Sequence, residues 1–187
     1  MNDNKTVFFA IGALLVVLGI FMVVPLLVQF IYGEESYVFL SSATVTIFIG
    51  ILLVLTNLQE NRKLNLQQAI LLTTLSWLSI AIFGCIPFLL SDIGLSFVDA
   101  FFESMSGITT TGSTVITNLN DTPKSILIWR AILQWLGGVG IIVMAITILP
   151  LLNIGGMQLF KMDSSDSAEK ILPRTHEITF VITIIYL

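Results

Sequence analysis

Apolar positions run almost without a break through four stretches of this chain, Val7–Tyr32, Val38–Leu58, Leu64–Leu90 and Ile126–Leu152. Each supplies about the 20 mostly apolar residues that a helix needs to cross the hydrocarbon of a bilayer. The polar residues are gathered between them. Gly33-Glu34-Glu35-Ser36 is an acidic turn, Glu60-Asn61-Arg62-Lys63 is a mixed one with two cations, and the connector 161–174 holds Lys161, Lys170 and Arg174 among acids. The pattern predicts four membrane-spanning helices with short links. The first run is longer than the apolar core of a signal peptide, about 7–15 residues, and has no clear cleavage site, so it reads as a retained span.

Between the third and fourth runs the pattern changes. Ser96 with Asp99 three residues later is a variant capping box that opens a helix. Phe97, Phe101, Phe102 and Met105 recur at helical spacing, and Gly107 is expected to end the helix. That helix is too short to span and reads as a re-entrant segment. A run of hydroxyls around one glycine follows, Thr109, Thr110, Thr111, Gly112, Ser113 and Thr114, and then a turn over Asn118, Asn120, Asp121 and Pro123. Non-helical backbone survives at membrane depth only where protein buries it or where it lines a watery cavity. The order is therefore span, half-helix, hydroxyl-and-glycine strand, span.

Composition agrees with this picture. Only 11% of the 187 residues are charged, against about 25% in soluble domains. The mean hydropathy is +0.98. Cys85 is the one cysteine, so no disulfide can form within the chain, and it reads as a small buried residue. No basic tract suggests nucleic acid, and no nucleophile–base or metal constellation suggests an enzyme. His176 is a lone histidine at a span boundary and reads as an interface residue. Lys5, Arg62, Lys63 and the 161–174 connector share one side if all four runs span, which makes the N-terminus cytoplasmic. Lys124 and Arg130 then fall outside, against the trend.

The hydroxyl run can be given a chemistry. A cation that sheds water needs oxygens in its place, and backbone carbonyls supply them without a charge that would hold the ion too tightly. An extended strand can direct successive carbonyls into a pore, Gly112 admits backbone angles closed to other residues, and the half-helix turns its partially negative C-terminal end to the ion path. The alternative is a polar surface loop that is rich in threonine. Glu103, in the half-helix at membrane depth, either braces the strand from behind by hydrogen bonds or meets the ion. Gly137, Gly138 and Gly140 in the fourth run let helices approach closely; no strand or GK[ST] makes them a phosphate loop. Trp129 suits the outer interface belt, while Trp77 and Trp135 are expected to pack.

Three stretches carry a resemblance: DAFFESMSGITTTGSTV (Asp99–Val115), WRAILQWLGGVGIIVMAITILP (Trp129–Pro150) and GGMQLFKMD (Gly155–Asp163). In order and content they resemble the Trk/Ktr/HKT superfamily of potassium transporters, and most of all its TrkH-type membrane subunit. The resemblance implies an all-α membrane protein, K⁺-channel-like, with an N-terminal two-span hairpin (1–63), a first span–pore helix–filter–span repeat (64–152), and a connector leading into a second repeat (153–187). Members carry four such repeats and one is found here, so the chain looks like the N-terminal part of a longer protein. By matching position, Thr110, Thr111, Gly112 and Ser113 take the place of the potassium filter, with Glu103 as its support. Unlike a TVGYG filter, this strand has one glycine and no tyrosine. The resemblance further implies K⁺ as the transported ion, no cofactor in this chain, a homodimer, a cytoplasmic nucleotide-binding subunit of TrkA type, and the plasma membrane of a bacterium or archaeon. The competing expectation is a structural or assembly module of the membrane that conducts nothing itself.

Overall fold

The computed structural model describes residues 4–34, 37–58 and 65–148. The expected connector and second-repeat start at 153–187, His176 among them, lie outside the described residues. Among the described residues seven helices follow one another: α1 (Lys5–Phe21), α2 (Val23–Tyr32), α3 (Val38–Thr56), α4 (Leu66–Gly84), α5 (Ile86–Leu90), α6 (Phe97–Ile108) and α7 (Lys124–Ile148). No strand occurs among the described residues. Four stretches among the described residues are long and apolar enough to cross a membrane: Lys5–Tyr32, Val38–Thr56, Gln67–Leu90 and Lys124–Ile142. The first three match the apolar runs to within three residues, and the fourth opens two residues before Ile126 and is a span as far as Ile142.

Two of these spans are each built from two helices, for one physical reason. Pro25 has no N–H to offer the carbonyl of Phe21, so the ladder breaks between α1 and α2. Bonds from Met22 N to Leu18 O and from Leu26 N to Met22 O, both 3.2 Å, carry the chain across the break. Pro87 does the same between α4 and α5, where Cys85 N donates to Ala81 O at 3.1 Å and Leu89 N to Cys85 O at 3.0 Å. Cys85 itself is buried, as its apolar setting predicts.

The hairpin of α1/α2 and α3 closes on glycine. A Cβ at Gly12 would lie 2.8 Å from the carbonyl oxygen of Gly50, and one at Gly50 would lie 2.9 Å from that of Gly12. The two backbones touch there, the close approach that small residues allow between membrane helices. Val7, Ile11, Leu15 and Leu18 of α1, with Met22 just after it, form a buried stripe spaced by three or four residues. Where the hairpin meets the later helices, Phe39 of α3 sits edge-on to Trp129 of α7, with ring centroids 6.1 Å apart. Phe88 of α5 joins the same core cluster. Outward, Phe30, Ile31 and Phe48 are 75%, 77% and 66% exposed. Large apolar side chains turned outward, with polar ones such as Ser42, Thr46 and Glu103 buried inside, are what lipid as solvent permits.

Trp129 departs from expectation. It is not at an interface belt: it is fully buried, and its Nε1 donates to the carbonyl of Gly84 at 2.9 Å. An indole N–H needs a partner once buried, and the carbonyl beside the Pro87 break provides one.

Candidate re-entrant loop and its braces

Helix α6 is the half-helix. At 12 residues and 1.5 Å per residue it is about 18 Å long, well short of the ~30 Å hydrocarbon. Its capping box is formed as expected: Ser96 Oγ accepts from Asp99 N at 3.2 Å and Asp99 Oδ2 accepts from Ser96 N at 3.3 Å. Gly107 does not end the helix, which continues to Ile108. Its role is packing, since a Cβ there would press on Leu133 of α7 at 3.1 Å. A glycine stops a helix when it takes a left-handed conformation, and Gly107 does not.

The loop after α6 is tied to it from one side. Thr110 N donates to Gly107 O at 2.9 Å, Thr111 N to Ser106 O at 3.0 Å, and Gly112 N to Ser106 O at 3.2 Å. In a trans peptide the N–H and the preceding C=O point in opposite directions. No peptide bond among the described residues is cis. The carbonyls of Thr109, Thr110 and Thr111 therefore point away from α6, toward the side on which residues 109–115 are exposed. Ser113 is turned the other way, its carbonyl accepting from Ser106 Oγ at 2.7 Å. Thr110 and Gly112 have positive φ, +59° and +75°, and Thr111 between them does not. A left-handed threonine is uncommon and costs energy that its surroundings must offset. Here the bonds to Ser106 and Gly107 hold it.

Glu103 is the brace on the far end of this loop. It is 1% exposed. Its Oε1 accepts from Thr114 Oγ1 and from Val115 N, both at 2.6 Å. Its Oε2 lies 2.8 Å from Arg130 Nε of α7, an ion pair without an aligned hydrogen bond. Of the two roles open to Glu103, the contacts are those of a brace, and they fall on Thr114 and Val115, the residues immediately after the hydroxyl-and-glycine core. Arg130 thereby acquires a physical reason to stand where the charge trend disfavours a cation.

Helix α7 presents one face to the whole loop. Arg130 meets Glu103, Leu133 meets Gly107, and Gln134 comes within 3.5 Å of the place a Cβ would occupy at Gly112. One turn on, a Cβ at Gly137 would collide with the carbonyl of Ile108. The close-approach reading of the glycine cluster thus holds for Gly137 but not for Gly140, which has open space. Trp135 packs as expected, its ring 5.6 Å from that of Phe21. The first turn of α7 is held by Glu34, whose Oε1 accepts from Lys124 N at 2.6 Å and whose Oε2 accepts from Ser125 Oγ. A carboxylate there satisfies free N–H groups and suits the positive end of the helix. The turn over Asn118 to Asp121 is formed, with Asp121 N on Asn118 O at 3.2 Å.

A multi-pass helical membrane protein with a re-entrant helix and a braced threonine–glycine loop is the class these features define. Within that class, the model of the family described as "TrkH: Cation transport protein" matches residues 35–187, and the chain belongs to that family. It is 42% identical to the Trk system potassium uptake protein TrkI of Halomonas elongata, over 94% of this chain and 36% of that protein. To the Trk system potassium uptake protein TrkH of Vibrio parahaemolyticus it is 38% identical, over 98% of this chain and 39% of the relative. The crystal structure of the potassium transporter TrkH from Vibrio parahaemolyticus superposes with a TM-score of 0.82 at 36% identity, covering 97% of this chain and 36% of that one. The chain thus spans well under half the length of these relatives.

Proposed function

We propose that this chain is the pore-forming part of a Trk-type potassium uptake system, and that Thr110, Thr111, Gly112 and Ser113 contribute one strand of its filter. The observation that carries the reading is the direction of the loop's peptides: N–H groups bonded back to α6, carbonyls of Thr110 and Thr111 free on the exposed side. Carbonyl oxygens so presented replace the hydration shell of a monovalent cation. Ser113 closes the strand, its carbonyl turned back to accept from Ser106 Oγ and so anchoring the loop to α6. Glu103 supports the strand from behind. The relatives named as potassium uptake proteins make K⁺ the transported ion in this reading. In it the chain divides into a hairpin (1–63), a pore repeat (64–152) and a connector into a second repeat (153–187). It sits in the cell membrane with its N-terminus cytoplasmic, and works as a homodimer with a TrkA-type nucleotide-binding subunit.

The test is Gly112→Ser in cells that depend on this protein for potassium. A side chain at φ +75° is strained whatever the space around it. K⁺ uptake relative to Na⁺ uptake is expected to fall at unchanged protein abundance. Unaltered K⁺/Na⁺ discrimination in Gly112→Ser would refute the filter assignment.

A further inference from the structure

We infer that Arg130 is a positioning residue for cation discrimination, acting through Glu103 on the strand Thr114–Val115. The inference rests on the filter reading above and extends it to a side chain on another helix. Glu103 has two oxygens and both are committed: Oε1 to Thr114 Oγ1 and Val115 N, Oε2 to Arg130 Nε. The carboxylate is thus a rigid link whose one end is the strand and whose other end is α7. The side chain of Glu103 is fully buried, whereas that of Arg130 is 21% exposed. The cation is the half of the pair that keeps some contact with solvent, and the acid is the half that needs compensation.

Without the guanidinium, Oε2 is a buried, uncompensated oxygen. Leaving one half of a buried ion pair alone is far more disruptive than removing both. Glu103 would relieve that by rotating, and rotation carries away the acceptor that fixes Thr114 and Val115. The positions affected are one and two residues beyond Ser113, so the displacement enters the loop at its end. Arg130 is also the start of the α7 face that continues through Leu133, Gln134 and Gly137 along the loop. The pair therefore registers the strand against the helix that backs it.

The experiment compares K⁺/Na⁺ uptake ratios in cells that rely on this protein, with abundance in the membrane measured alongside. The variants are Arg130→Gln, Arg130→Lys, Glu103→Gln, the double Glu103→Gln/Arg130→Gln, and Gly112→Ser. Arg130→Gln is expected to lower the ratio about tenfold, through loss of the one cation that compensates the buried carboxylate. Arg130→Lys, which keeps the charge, is expected to recover most of that loss. The double variant is expected to match Glu103→Gln alone, because a residue that acts through Glu103 adds nothing once Glu103 is changed. The double variant leaves no lone buried charge, so it stays readable even where Arg130→Gln fails to accumulate. If the losses of the two single variants multiply in the double, Arg130 acts independently and the inference falls. A wild-type ratio in Arg130→Gln, or in the double where Glu103→Gln lowers it, overturns it as well. Should Gly112→Ser alter the ratio while the Arg130 variants do not, the filter reading stands and this inference fails. Should none alter it, both fail.

Discussion

Glu34 links two parts of the molecule through one carboxylate. It follows the C-terminus of α2 and accepts from the first N–H groups of α7, ninety residues away in sequence. A capping interaction of this kind is worth about 1 kcal/mol. Glu34→Ala is therefore expected to lower the thermal midpoint of the detergent-solubilised protein by a few degrees, and Ser125→Ala by less, since it leaves both backbone donors satisfied. An unchanged midpoint in Glu34→Ala would show that the cap is replaced by water at no cost. Trp129 offers a second case at this scale. Trp129→Phe deletes the bond to Gly84 O and trims a fully buried ring, and is expected to cost about 1–3 kcal/mol, whereas Trp129→Ala opens the core beside Phe39 and is expected to cost about 3–5 kcal/mol. A chemical-denaturation series read by helix content separates the two.

The spans were legible because a run of about 20 apolar residues has one physical solution in a bilayer. The α6 start was legible for a local reason, the reciprocal bonds of Ser96 and Asp99. What was not legible depended on residues far apart in sequence. Gly12 and Gly50 are ordinary glycines in apolar runs until the helices cross; the expected small-residue contact was placed on Gly137, Gly138 and Gly140 alone. Gly107 reads as a terminator because glycine often is one, yet its neighbour Leu133 comes from another helix. Trp129 was assigned by its place near a span end, and burial decided otherwise. The element-scale prediction follows from the two crossings. Gly50→Val, whose side chain would meet Gly12 O and Val16, is expected to cut accumulation in the membrane sharply. Gly140→Ala, with nothing within 4 Å, is expected to leave it unchanged. Equal tolerance at both positions, measured by quantitative immunoblotting of membranes, would contradict the packing.

At the scale of the whole molecule, Asn65 and Asn120 flank the candidate span Gln67–Leu90, and both are exposed, so a crossing there puts them on opposite faces of the membrane. Cysteines introduced at these positions are expected to react with an impermeant thiol reagent from opposite sides, Asn120 from outside, while buried Cys85 stays silent. Labelling of both from one side would break the arrangement. The geometry of the loop was only partly legible. The hydroxyl run and Glu103 stand out in the sequence, but the peptide directions and the left-handed Thr110 arise from bonds back to Ser106 and Gly107, and the Arg130 partner comes from α7. The claim on which everything else depends is that the loop's outward carbonyls bind a monovalent cation. Anomalous scattering from Tl⁺, a heavy stand-in for K⁺, in crystals of the transport-competent protein tests it directly. The account predicts a peak at coordination distance from the carbonyl oxygens of Thr110 and Thr111 that weakens when K⁺ competes. Tl⁺ peaks elsewhere along the pore, with none beside these two carbonyls, would contradict it.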